Sequence, residues 1–217
     1  MEGFRGKAQR RYANSARLLV DEERHRTANE LAATLAALRL TKARLNQETP
    51  LMDEAIARVE GHARLNRLLV QPPSQANNAH QALRELCEAF IMGRFDLGER
   101  GMRLVIEEVV VGPGTLDALL QVAYELLVNA TKHGEPTSDR IVVNLRRLST
   151  SVVLEVVNQT SAPSGTRRGA GAALVSSIVR RAGGDLRITH EKRVHRAVVV
   201  LPDGFRRHEE RRRTSLR

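Results

Sequence analysis

Three groups of side chains in this sequence have the types and spacing that chemistry needs. The first surrounds His25, in the stretch ERHRTANELAATLAALRL from Glu23 to Leu40. Ala28, Leu31, Leu35 and Leu38 recur there at helical spacing, which defines one buried face. At about 100° per residue, His25 stands roughly a quarter-turn from that face. It shares its own shoulder with Glu22 and Asn29, with Arg26 close by. Alone, such a histidine reads as a solvated surface side chain. A second group lies in the apolar run from Leu116 to His133, where Gln121, Glu125, Asn129, Lys132 and His133 follow one another at spacings of three or four. That is a narrow polar stripe on an otherwise buried helix. A carboxylate and an amide held in register need partners, and a metal-linked polyphosphate is one ligand that supplies them. The third group is SGTRRGAGAALVSSIV, where Gly169 and Gly171 precede a helix. Backbone N–H groups at such a terminus favour a phosphate, although a flexible strand-to-helix connection would look the same.

Composition narrows the setting for these groups. The chain of 217 residues is 41% hydrophobic but only 3% aromatic, with no tryptophan, so its core must be aliphatic. The single cysteine, Cys87, provides no disulfide framework and suits a reducing cytoplasm, the compartment expected here. The stretch MEGFRGKAQRRYANSARLLV lacks the apolar run of a signal peptide, and no later segment is long enough to span a bilayer. The formal net charge of +10 points to acidic partners. Much of the excess sits in FRGKAQRR near the start and GFRRHEERRRTSLR at the finish. Arginine-rich ends of this kind read as solvated tails, and no aromatic-interleaved basic platform or zinc-ligand spacing accompanies them, which argues against nucleic acid.

Two halves must position the reactive groups. The first is helical: one long helix from about Ala8 to Gln47, then a second from about Leu51 to Val70, with Thr49 and Pro50 as its start signals. QPPSQANNAH interrupts the pattern through Pro72 and Pro73, and AHQALRELCEAFIMGR is a third helical segment. The second half is strand-like over Arg103–Val111, Arg140–Leu148, Ser151–Val157, DLRITHE and HRAVVVLP. Two helices interrupt it, with Gly134 and Gly183-Gly184 as their stop signals. The order predicts an α+β fold, with helices on one face of a mixed sheet. We place a helical domain at residues 8–94, the α/β sandwich at 95–203 and a basic tail at 204–217. One hairpin leaves Leu31, Leu35, Leu38, Val59 and Leu68 uncovered, so two hairpins are expected to pair as a four-helix bundle in a homodimer.

Taken together and in this order, the pieces resemble the histidine kinases of bacterial two-component signalling. HRTANEL is similar to the phosphoacceptor box of subfamilies in which histidine is followed by arginine and, three residues later, asparagine. ELLVNATKHG resembles the N box of the GHKL ATPase superfamily, and RGAGAALVSSIVRRAGGDL resembles its glycine box and following helix. The resemblance covers roughly residues 15–202. It implies a GHKL-like sandwich, and it makes His25 the phosphoryl carrier rather than His62, His80, His133, His190, His195 or His208. It also implies that Glu125 positions water, that Asn129 holds magnesium if ATP binds, and that Lys132 and His133 approach phosphates beside Gly169 and Gly171.

Departures from the family pattern shape the functional expectation. Asn158, in LEVVNQTSAPSG, stands near the place of the family's adenine-binding aspartate, and the glycines that follow that aspartate are missing. The tryptophan-bearing signature of one arginine-type subfamily is absent, and Gln159 to Arg168 is short for a nucleotide lid. Such losses resemble histidine phosphotransferases derived from kinases. The expectation is phosphotransfer between His25 and aspartates of response-regulator receivers, with no cofactor required. An ATP-dependent kinase that phosphorylates itself on His25, using ATP and magnesium, is the first alternative. A non-catalytic regulator with a GHKL-like binding surface is the second. In this scheme Arg26 pairs with the transferring oxygens, Asn29 bonds at the same shoulder, and Glu22 or Glu23 holds the imidazole tautomer.

Overall fold

The computed structural model describes residues 26–45, 50–70, 78–94, 101–134, 141–160, 170–191 and 193–204. His25, Glu22, Thr49 and Gly169 lie outside the described residues. Helix α1 covers residues 26–45, and α2 is Pro50–Val70, with proline in its first turn. On α1 only Leu31, Leu35, Leu38 and Lys42 are half-buried, and every other side chain is exposed. The leucines form a single stripe along the helix. Arg39 pairs with Glu60 and Lys42 with Asp53, so the two helices run in opposite directions. Leu68, grouped by its spacing with the uncovered apolar face, is instead buried with Leu65 in the core of its own chain. The reason is tertiary: the last turns of α2 pack on another helix.

That helix is α3, Ala79–Gly93. It buries Ala79, Ala82, Leu83, Leu86, Cys87, Ala89 and Phe90, residues at spacings of three and four that cover a little under half its circumference. Its start is tied down by Ala79 N–H donating to Val109 O at 2.9 Å and by a bridge between Asn78 and Val110. The segment Arg103–Val111 is therefore a strand only over β1, Met102–Ile106. Val109 and Val111 leave the sheet to pack in the core.

Helix α4, Pro113–His133, is the axis of the molecule. Leu116, Leu119, Leu120, Val122, Ala123 and Leu127 are at most 1% exposed; each such leucine contributes about 1.5–3 kcal/mol by leaving water. The sheet beneath has strands β2 (Ile141–Leu148), β3 (Ser151–Gln159), β4 (Asp185–Glu191) and β5 (Val194–Pro202), in the order β1-β2-β3-β5-β4. The β1–β2 pair is parallel and the other three pairs are antiparallel. Register stacks Ile106, Leu145, Leu154, Val199 and Leu186 in one row on the helix side, with Leu104, Val143, Val156, Ala197 and Ile188 in the next. Helix α5, Ala170–Ala182, lies beside α4 and buries Val175, Ile178 and Val179. It ends at Gly183 in the left-handed region (φ +75°), with Gly184 N–H donating to Val179 O. No helix among the described residues is long and apolar enough to cross a membrane.

Candidate functional site

The polar stripe of α4 faces the first turn of α5. Glu125 and Asn129 are both half-buried and one turn apart. A Cβ added to Gly171 would lie 3.2 Å from Asn129 Oδ1, 3.4 Å from Asn129 Nδ2 and 3.4 Å from Glu125 Oε2. The α5 backbone thus rests directly on the carboxylate and amide, and any side chain at position 171 would press on them. Burial pushes the Glu125 carboxyl above its ordinary value. Gln121, at the start of the stripe, donates to Asp117 within its own helix at 2.8 Å. Lys132 and His133, at the end, are exposed. Arg26 and Asn29 are exposed on α1, in the helical hairpin rather than in the sheet layer.

Asn158 closes the other end of the stripe. It is only 5% exposed. Its Nδ2 donates to Gln159 O at 3.1 Å and toward Ala130 O, the residue after Asn129, at 3.5 Å. Two backbone carbonyls fix which end of the amide faces them, because an oxygen there would meet acceptors only. Its Oδ1 is buried with no hydrogen-bond partner among the described residues. A free acceptor in such a place carries a desolvation cost that a donor from outside would relieve. A Cβ on Gly134 would meet Ala130 O in the last turn of α4 at 2.5 Å, whereas Gln159 O of β3 would be an ordinary 3.6 Å away, so the glycine clears the end of its own helix. Its own backbone is extended (φ −72°, ψ 150°). The stop signal read in the sequence therefore works by clearance rather than by a left-handed turn.

Two histidines not singled out in the sequence belong to this end. Asn158 is directly opposite His195, and His195 opposite His190, so the three side chains form one row on the helix side of β3, β5 and β4. The imidazoles of His190 and His195 have centroids 4.6 Å apart. Burial, with smaller contributions from His190 and His133, holds His195 below the ordinary histidine value. A signal was present: His195 has the same parity as the buried Ala197, Val199 and Leu201, so strand alternation alone assigns it to the core side.

The arrangement offers acceptors at both ends but little room at the phosphate end. A magnesium-bound polyphosphate held by Asn129 would lie beside the first turn of α5. Gly171 already abuts Asn129 there, and Lys132 is exposed. No group of three or more His, Cys, Asp or Glu among the described residues is arranged to hold a metal ion.

No protein-family model matches the chain, and no curated protein matches it. Among solved structures, the histidine kinase domain of the Erythrobacter litoralis EL346 blue-light activated histidine kinase is similar over 84% of this chain and 94% of that one, at 18% identity and a TM-score of 0.53. A bacterial phosphotransferase is similar over 79% of this chain and 90% of that one, at 11% identity and a TM-score of 0.53. At these identities the likeness is one of fold. The chain shares the α+β fold of a histidine kinase domain.

Proposed function

We propose that this chain is a histidine phosphotransferase of a two-component phosphorelay, with His25 exchanging a phosphoryl group with aspartates of response-regulator receivers. The observation that carries the reading is the close approach of Gly171 to Glu125 and Asn129, because it narrows the space beside Asn129 that a magnesium-bound polyphosphate would need. The fold supports the same reading, since a helical hairpin precedes a GHKL-like layer. In the forward step a ring nitrogen of neutral His25 attacks the phosphorus of an aspartyl phosphate. The N–P bond forms, the P–O bond to aspartate breaks, and the carboxylate leaves with the electron pair. The proton on the other ring nitrogen is held by Glu22 or Glu23, and Arg26 offsets the charge on the transferring oxygens while Asn29 donates nearby. Two hairpins joined through Leu31, Leu35, Leu38 and Val59 form the four-helix bundle of a homodimer.

Transfer from a phosphorylated receiver should place acid-labile label on the chain. His25→Ala should abolish it, and His62→Ala and His80→Ala should not. Label that persists in His25→Ala would sink the assignment. One observation favours the kinase alternative: the buried, unpartnered Oδ1 of Asn158 is an acceptor of the kind an adenine amino group requires. Calorimetric titration with ATP and magnesium separates the two readings. No heat of binding is expected, and micromolar affinity that disappears in Asn129→Ala would make the protein a working kinase.

A further inference from the structure

Helices α2 and α3 cross at two glycines. A Cβ added to Gly61 would lie 2.8 Å from Gly93 Cα, 2.8 Å from Met92 C and closer still to Gly93 N. All three are backbone atoms, which cannot rotate away as a side chain can. The reverse addition is mild, since a Cβ on Gly93 would find His62 N at 3.4 Å and Gly61 C at 3.6 Å. Position 61 is therefore the one that must lack a side chain for the two backbones to touch. Around the crossing, Arg64 donates to Met92 Sδ at 3.7 Å, and Leu65 and Leu68 are 4% and 6% exposed. These leucines belong to one buried cluster that continues through Leu83, Leu86 and Phe90 of α3 to α4 and the sheet. Phe90 in turn meets Tyr124 of α4 edge-on, with ring centroids 6.1 Å apart.

Domains in one chain move relative to one another by default unless their interface is large and apolar. Here the hairpin and the sheet layer share a core, and their junction has no side-chain cushion at its centre. We propose that the Gly61–Gly93 crossing locks the helical hairpin to the sheet layer as one rigid body, with Gly61 as the positioning residue. A partner that approaches the hairpin then meets a surface made of both parts in a preset relation. That consequence rests on the phosphotransfer reading, and the rigid junction itself does not. An enzyme whose sheet layer must swing to deliver a nucleotide would need the opposite, a junction that slides.

Pulsed electron–electron resonance tests this on the full chain, with nitroxides on cysteines introduced at the exposed Glu54 of α2 and Ser177 of α5. Cys87 is fully buried and its thiol is pushed up to about 12, so it escapes labelling. Labelled chain diluted into excess unlabelled chain leaves only distances within one protomer. A single narrow distance is expected in the otherwise native chain, unchanged in Gly93→Ala and broadened or shifted in Gly61→Ala. A broad or two-peaked distribution in the native background overturns the proposal. So does an unchanged distribution in Gly61→Ala. Should Gly61→Ala fail to fold, the native and Gly93→Ala distributions decide. The readout contains no phosphate, so its failure is distinct from a failure of His25 to carry one.

Discussion

The helical hairpin and the sheet layer treat their leucines in opposite ways. In the sheet layer Leu119, Leu120, Leu127, Leu145 and Leu154 are at most 1% exposed. In the hairpin Leu31, Leu35 and Leu38 are half-buried, while Leu40, Leu45 and Leu51 are 61%, 48% and 82% exposed. Polar groups divide the same way. Glu125, Asn129 and Asn158 are packed against backbone, whereas Arg26 and Asn29 are exposed. Most leucines of the sheet layer are packed within the chain, Leu148 and Leu174 being about half exposed, whereas those of α1 all keep some surface open to solvent. The proposed phosphotransfer would use such a division, since a helix that carries His25 would have to meet partners while the sheet layer keeps it in place.

The most severe challenge to this contrast is a pair of leucine substitutions. Leu127→Ala removes a side chain with no exposure and should cost about 2–5 kcal/mol in denaturant unfolding, with the oligomeric state intact. Leu35→Asp should cost far less within the protomer and instead split the dimer, which light scattering reads directly. A dimer that survives Leu35→Asp would move the interface elsewhere. Next in size is Gly183→Ala, which forces a Cβ into the left-handed region at φ +75°; about 1–2 kcal/mol of stability should be lost.

Smaller effects come from titration, and they too should be confined to the sheet layer. His195 is held below 6.5 in the folded chain, so the unfolded chain takes up the proton first as pH falls. Stability should therefore decline as pH drops through about 6.5 and level off once the folded-state value is passed. His195→Gln should remove that slope. Glu125 has the opposite sign: its folded value is raised above 4.5, so a penalty develops as pH rises through 4.5 and is complete above the folded value. Glu125→Gln should accordingly stabilise the protein near neutral pH and lose that advantage in acid. Melting temperatures measured from pH 4 to 8 check both. The smallest effect belongs to the hairpin. Breaking the exposed Lys42–Asp53 pair with Lys42→Met should change stability by at most about 1 kcal/mol, and less in high salt. A larger loss would mean that the hairpin depends on its surface charges more than on its leucine stripe.

Much of the fold was legible because its elements carry local signals. The period-two pattern of Val152, Leu154 and Val156 and the helical spacing in α4 need no knowledge of the rest of the chain. The stripe of Glu125 and Asn129 was legible for the same reason. Other features depended on what lies across from them. Leu68 has the spacing of a surface stripe, and only the position of α3 puts it in the core. AHQALRELCEAFIMGR reads as the trailing part of the helical half, yet α3 is packed between α2 and α4 and shares the buried cluster of the sheet. Val109 and Val111 look like more of β1, yet the chain there turns to the start of α3, where Ala79 N–H donates to Val109 O and Asn78 bridges Val110.

The sequence by itself determined which residues alternate, which wind with a helical period, and which polar types interrupt an apolar face. Those properties belong to neighbours a few residues apart. Tertiary structure alone decided that Gly171 would rest on Asn129, that Asn158 would line up with His195 and His190, and that Gly61 would touch Gly93. Each of these joins segments far apart in the chain, and the distance between them depends on the close packing of everything else in the core. A glycine in a sequence shows that a side chain is missing, and only the fold shows what occupies the space.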